Sequence, residues 1–176
     1  MTDQTAAVLT RPAPGTYRID PARSTIRYSG KHLFGMGTVH ATFAISRGDL
    51  TIADPATRSV ATVTVDAASF TSDRARRDKD VRATGLLDVA TYPDITFISD
   101  GLREEDAGWS VTGTVTAHGH SVPVTVLVDR VDAEGEGIRV HGRAAHLDRT
   151  ALGVTGSRGM VGRYLDLELD AFAIPG

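Results

Sequence analysis

The sequence predicts an all-β fold: an antiparallel β-barrel of about eight strands, interrupted by one short helical excursion at about 74–90. Three observations carry this reading. Valine, isoleucine and threonine recur with a period of two, which puts alternate side chains on opposite faces of a sheet with one buried side. The gaps between these runs are hairpin-length and strands do not alternate with helices, so the pairing is antiparallel. The chain holds 18 glycines. Gly30, Gly37, Gly113 and Gly142 fall inside strand patterns, where they suit the bends of a strongly coiled sheet and favour a barrel over a sandwich.

The elements follow in chain order. Residues 1–14 (MTDQTAAVLTRPAP) read as a disordered tail, with the Pro-rich stretch marking the boundary of a domain over 15–176. Strands are expected near 16–20, 24–32, 36–46 and 48–53. The run at 59–66 (SVATVTVD) alternates apolar residues with threonine. Arg74 opens the helical stretch, with Val81, Leu86, Leu87 and Val89 as its apolar side, and Pro93 stops it. A strand is expected at 94–101. At 109–116 Val111, Gly113 and Val115 share one face against Thr112, Thr114 and Thr116. Valines at 122, 124, 126 and 128 mark the next strand. Ile138, Val140, Gly142 and Ala144 alternate with Arg139, His141 and Arg143, and Leu165, Leu167 and Leu169 alternate with acids.

Length and charge bound the function. The chain has 176 residues, enough for one domain with a sizeable core. A formal net charge of -3 gives no electrostatic case for nucleic acid or for an anionic membrane surface as a partner. The absence of cysteine excludes disulfides, thiolate metal sites and a cysteine nucleophile. With neither a signal-like nor a membrane-spanning apolar run, the expectation is a soluble cytoplasmic protein without integral membrane association.

Candidate chemistry is sparse. His118 and His120 flank Gly119 and share a strand face in principle, but strands on both sides make the segment a hairpin turn with a left-handed glycine, not half a metal site. Arg74, Arg76, Arg77, Asp78, Lys79 and Asp80 read either as an anion clamp or as a solvated helix face. Asp88, Asp148 and Arg149 are polar residues in apolar context that need partners if buried, and read either as pairing with one another or as caps of strands and turns. No nucleophile elbow, dinucleotide fingerprint or phosphate loop occurs. The segment Leu33-Phe34-Gly35-Met36-Gly37 reads either as a hinge on the core or as an apolar lip on a cavity.

Four blocks then make the pattern specific. They are Tyr17-Arg-Ile-Asp-Pro-Ala-Arg-Ser-Thr-Ile-Arg-Tyr with Lys31-His32; Ala68-Ser-Phe-Thr with Arg77-Asp78 and Leu86-Leu-Asp-Val; Tyr92-Pro-Asp-Ile-Thr-Phe running on to Ala117-His118-Gly119 and Pro123-Val124; and Leu147-Asp-Arg with Leu152-Gly-Val and Val161-Gly162. In this order and spacing the chain resembles the YceI family of lipocalin-like, lipid-binding proteins over about residues 15–174. The resemblance implies an extended, lipocalin-like barrel with an apolar tunnel for a long isoprenoid, such as a polyprenyl quinone or polyprenol, bound as ligand and with no other cofactor. This chain departs from the family at Arg23, Asp80 and Leu86-Leu87, where a histidine, a histidine and two phenylalanines are usual.

The resulting expectation is binding, storage or transport of an isoprenoid. Burying each CH₂ contributes about 0.8 kcal/mol, so such a ligand needs few polar contacts. The expected ligand-binding residues are Ile26, Tyr28, Phe34, Met36, Val39, Phe43, Val63, Leu86, Leu87, Phe97 and Trp109, with His32 and His118 as polar contacts. No catalytic residue and no metal ligand is assigned. A homodimer is admissible. Two alternatives stand beside this reading: an isomerase-, cyclase- or hydrolase-type enzyme using Tyr28, His32 and His118 for acid–base work, and a stress-response structural module with a filled barrel.

Overall fold

The computed structural model describes residues 10–176. β1 (Gly15–Ile19) and β2 (Thr25–His32) are two halves of one path, broken at residues 20–24. The break is local chemistry: Pro21 lacks an N–H, and the Asp20 carboxylate accepts from Ala22 N at 2.9 Å to close a tight turn. β3 (Gly37–Phe43) and β4 (Ile45–Ile52) likewise form one path bent at Ala44. β5 (Val60–Asp66) and β6 (Thr71–Ser72) precede α1 (Ala75–Arg82). Then β7 (Asp94–Glu105), β8 (Gly108–Ala117), β9 (His120–Glu134), β10 (Gly137–Asp148) and β11 (Val161–Pro175) run as an antiparallel meander.

Pairing passes β1-β4-β5-β7-β8-β9-β10-β11 and returns to β1, which closes an eight-stranded barrel. β11 makes the closure. One edge pairs with β10; the other pairs with β2, with Leu167 opposite Tyr28, and then with β1, with Ala173 opposite Ile19. Ser24 bridges the two halves of that second edge. Its buried hydroxyl accepts from Phe172 N at 2.9 Å and donates to Asp20 O at 2.7 Å. Outside the barrel, the Arg23 guanidinium lies 3.5 Å over the Phe172 ring and pairs with Glu134.

The strand directions define two rims. The near rim carries residues 10–14, the 53–59 loop, the β7–β8 and β9–β10 turns and the C-terminus, where Gly176 N donates to Thr16 O at 2.8 Å. The far rim carries the 33–36 turn, residues 67–93, the 118–119 turn and residues 149–160. One buried cluster, including Ile19, Phe43, Ile45, Phe70, Val131 and Ala173, forms the wall where β1 to β4 meet β11. A smaller cluster of Val115, Ala117, Leu147 and Leu152 fills the barrel toward the far rim.

Several expectations are corrected. The helix covers Ala75–Arg82 and not 74–90. Beyond it the chain folds into turns, with Leu87 N bonded to Val81 O and Asp88 in a left-handed conformation at φ 47°. Leu86 and Leu87 therefore reach the core from turns, and their spacing was never helical. Of the expected disordered tail, residues 1–9 lie outside the described residues. Residues 10–14 pack at the near rim: Pro12 is buried, Thr10 N donates to Val131 O and Arg11 pairs with Glu104. Asp78, read as part of a charged face, is buried and accepts from Ser72 N and Oγ.

Replacing Ser24 by alanine leaves the buried Phe172 N–H without its acceptor, at a cost of about 1–3 kcal/mol. Urea unfolding of Ser24→Ala checks this, and a midpoint equal to that of the parent chain contradicts the bridging role.

Candidate functional site

The period-two pattern sends one face of every strand inward. Because β5, β8 and β9 offer mostly valine there, short side chains on that part of the wall stop before reaching the axis. The result is an apolar cavity of about 380 Å³ inside the barrel. Val63 and Val65 come from β5, Ile95 and Phe97 from β7, and Trp109 and Val111 from β8. Val124, Val126 and Val128 come from β9, Val140 from β10, and Leu167, Leu169 and Ala171 from β11. Ile26 of β2 and Leu50 and Ile52 of β4 complete the ring. Gly113 has a steric reason to be glycine: a Cβ there would lie 2.4 Å from Ile98 O and 2.6 Å from the Phe97 ring, which rests over it.

The two serines on the wall are engaged by backbone. Ser99 Oγ accepts from Ala61 N at 2.7 Å, and Ser59 Oγ accepts from Ala53 N at 2.9 Å. At the near rim Arg11, Pro12, Pro14 and Asp54 border the opening, and Arg11 Nη2 donates to both Glu104 carboxylate oxygens.

The residues expected to hold a ligand divide into three places. Ile26, Val63, Phe97 and Trp109 line the cavity. Val39 and Phe43 are buried, and Tyr28 and Leu87 pack half-buried against the main core, with Phe43 and Tyr28 both edge-on to Phe70. Leu86 is buried under the 83–92 turns. Phe34 and Met36 stand on the exposed 33–36 turn, 79% and 83% accessible, away from the cavity. His32 ends β2 and packs over Gly37. His118 and Gly119 form the two-residue β8–β9 turn, both left-handed at φ 51° and 73°. The His118 ring centroid is 4.5 Å from that of Tyr92, and its Nδ1 is buried without a hydrogen-bond partner among the described residues. His120 Nδ1 lies 2.8 Å from His118 O.

Sequence reasoning passed over Leu50, Val126, Val140, Leu167 and Leu169, although the alternation that aims them inward was visible. Of the two expectations for Asp148, pairing with Arg149 or capping a turn, the structure shows the second: its Oδ1 accepts from Thr150 N at 2.9 Å and Thr150 Oγ1 at 2.6 Å. Its other oxygen pairs with Arg163 at 2.8 Å, and these hydrogen bonds hold its carboxyl well below the usual range. Arg149, 5% exposed, donates to Gly162 O, Val154 O and Val161 O at 2.6–2.9 Å. It ties the 149–162 segment down as a plug at the far rim.

Comparison with known proteins follows the same lines. The family profile described as YceI-like domain matches residues 17–173. A UPF0312 protein of Yersinia pestis is 33% identical over 114 residues, which are 62% of this chain and 58% of that protein; the match thus spans somewhat over half of the relative's length. The crystal structure of Burkholderia cenocepacia BcnA superposes with a TM-score of 0.77 at 24% identity, covering 88% of this chain and 98% of that one. A polyisoprenoid-binding domain from Saccharophagus degradans superposes with a TM-score of 0.63 at 13% identity, covering 93% and 100%.

Tyr28 reports on the enclosure of the wall. Burial pushes its phenol above the usual value, against a smaller pull from Arg149 and Arg77. Its contribution to stability is complete below about pH 10, where the unfolded phenol is also protonated, and is lost as pH rises through the higher folded value. Urea midpoints measured from pH 8 upward should fall less steeply for Tyr28→Phe than for the parent chain; parallel curves contradict the assignment.

Proposed function

The chain belongs to the family of YceI-like domains, and from that premise we propose that its barrel binds the apolar chain of an isoprenoid lipid, such as a polyprenyl quinone or polyprenol, as a carrier or store. The observation that carries the reading is the cavity wall. Side chains from all around the barrel present an almost unbroken hydrocarbon surface, and the serine hydroxyls within it are already bonded to backbone N–H groups. Such a surface gives a ligand little to hydrogen-bond and much to desolvate. Affinity then grows with the number of buried CH₂ groups, each contributing about 0.8 kcal/mol. The opening at the near rim, between residues 10–14 and the 53–59 loop, supplies an entry. The likeness to a polyisoprenoid-binding domain supports this ligand class.

Native mass spectrometry of the purified chain, with organic extraction and identification of what is released, tests the proposal. The expected result is a prenyl lipid at one per chain, or uptake of a fluorescent prenyl analogue by the emptied protein. Val126→Phe places a ring in the cavity. It should cut that uptake by roughly tenfold or more while leaving the chain folded with a cooperative thermal transition, since the ring enters a void and not a filled core. A chain that holds no lipid and takes up no analogue overturns the reading.

A further inference from the structure

The far rim carries a surface that the cavity does not use. Leu33, Phe34 and Met36 of the β2–β3 turn and Met160 of the β10–β11 connection are all exposed there. They belong to one structure: Leu33 N donates to Met160 O at 3.2 Å and Phe34 N to Gly159 O at 2.6 Å. The Phe34 ring lies over Gly159, where an added Cβ would meet it at 2.3 Å. Leu33 and Phe34 are both left-handed, at φ 51° and 55°, a conformation that bulky residues rarely adopt. The turn therefore holds its apolar tips outward, away from any core.

Beside these tips lies a cleft of about 520 Å³ lined by Lys31, Arg149, Arg158 and Arg163, with no carboxylate in its wall among the described residues. Arg149 is spent on backbone carbonyls and Arg163 on Asp148, which leaves Lys31 and Arg158 as the cations facing solvent. The bias extends along the chain: residues 21–48 and 149–165 contain no aspartate or glutamate. The net charge of -3 thus conceals a basic, apolar-tipped rim on an otherwise acidic molecule.

We propose that this rim docks on an anionic lipid bilayer, with Phe34 and Met36 seated at the boundary of headgroups and acyl chains and Lys31 and Arg158 against lipid phosphates. A bilayer receives protruding apolar tips without a matching groove, and its negative surface complements the cations around them. The near rim, with the cavity opening, then faces away from the membrane. The proposal does not depend on what the cavity holds.

The experiment is co-sedimentation of the full chain with phosphatidylcholine vesicles, with and without phosphatidylglycerol. The parent chain should bind only the anionic vesicles, and added salt should release it. Phe34→Ser with Met36→Ser should weaken binding by roughly tenfold, and Lys31→Glu or Arg158→Glu by at least about fivefold each. All these side chains are exposed, so thermal midpoints and prenyl-analogue uptake should stay at parent values. Phe34→Trp should show a blue-shifted emission on anionic vesicles. The proposal is overturned if the parent chain ignores anionic vesicles, or if binding survives the double serine variant. It is equally overturned if sedimentation velocity shows a dimer that the serine variant dissociates, with no vesicle binding: the turn would then pair two copies of the chain.

Discussion

Along a single edge, β11 bonds first to β2 and then to β1, and this sharing is what makes a barrel of the sheet. Two strand halves must arrive at one edge in register, although the path between them kinks at Pro21. The kink leaves an amide and a carbonyl that a straight strand would have satisfied. Ser24 meets that need with one buried hydroxyl, donating to Asp20 O and accepting from Phe172 N. Without closure the inward valines would face water, and no cavity would exist to discuss.

Once closed, the barrel is hollow at one end and filled at the other for reasons of side-chain reach. In the cavity the valines of β5, β8 and β9 stop short of the axis. Toward the far rim Leu147 and Leu152 reach inward, and Arg149 draws the segment that carries Leu152 over the opening by donating to three of its carbonyls. A buried guanidinium without a carboxylate is tolerable here because its N–H groups are spent on backbone acceptors. The same arrangement leaves the outer side of that segment cationic.

The fold was legible because period two is enforced wherever one face of a sheet is buried, and nearly every strand of this chain obeys it. The closure was not, since no local pattern says that β1 and β2 share an edge. The helix is shorter than its apolar spacing suggests: Val81 and Leu87 pack on one core only because the chain turns back on itself after Arg82. The cavity was legible in kind but only partly in its residues. Ile26, Val63, Phe97 and Trp109 stand in the wall, while aromatic and sulfur side chains drew attention to Phe34 and Met36, which face out. Large size is a poor guide to a hollow, which is made by small side chains such as those of Val126 and Val140. His118 was read as a turn residue and as a ligand contact; the structure places it in the turn, with Tyr92 against its ring.

The hydrogen bond from Gly176 N to Thr16 O brings residue 176 to the rim where β1 begins. The order in which the strands are connected is therefore separable from the order in which they pair. A short linker from residue 176 to the N-terminal side, with new ends cut at the 118–119 turn, would give a circular permutant in which every strand keeps its neighbours. In such a chain β9 would come first and β8 last. Closure would then depend on the β8–β9 pairing, and the shared edge of β11 would be formed from strands close together in sequence.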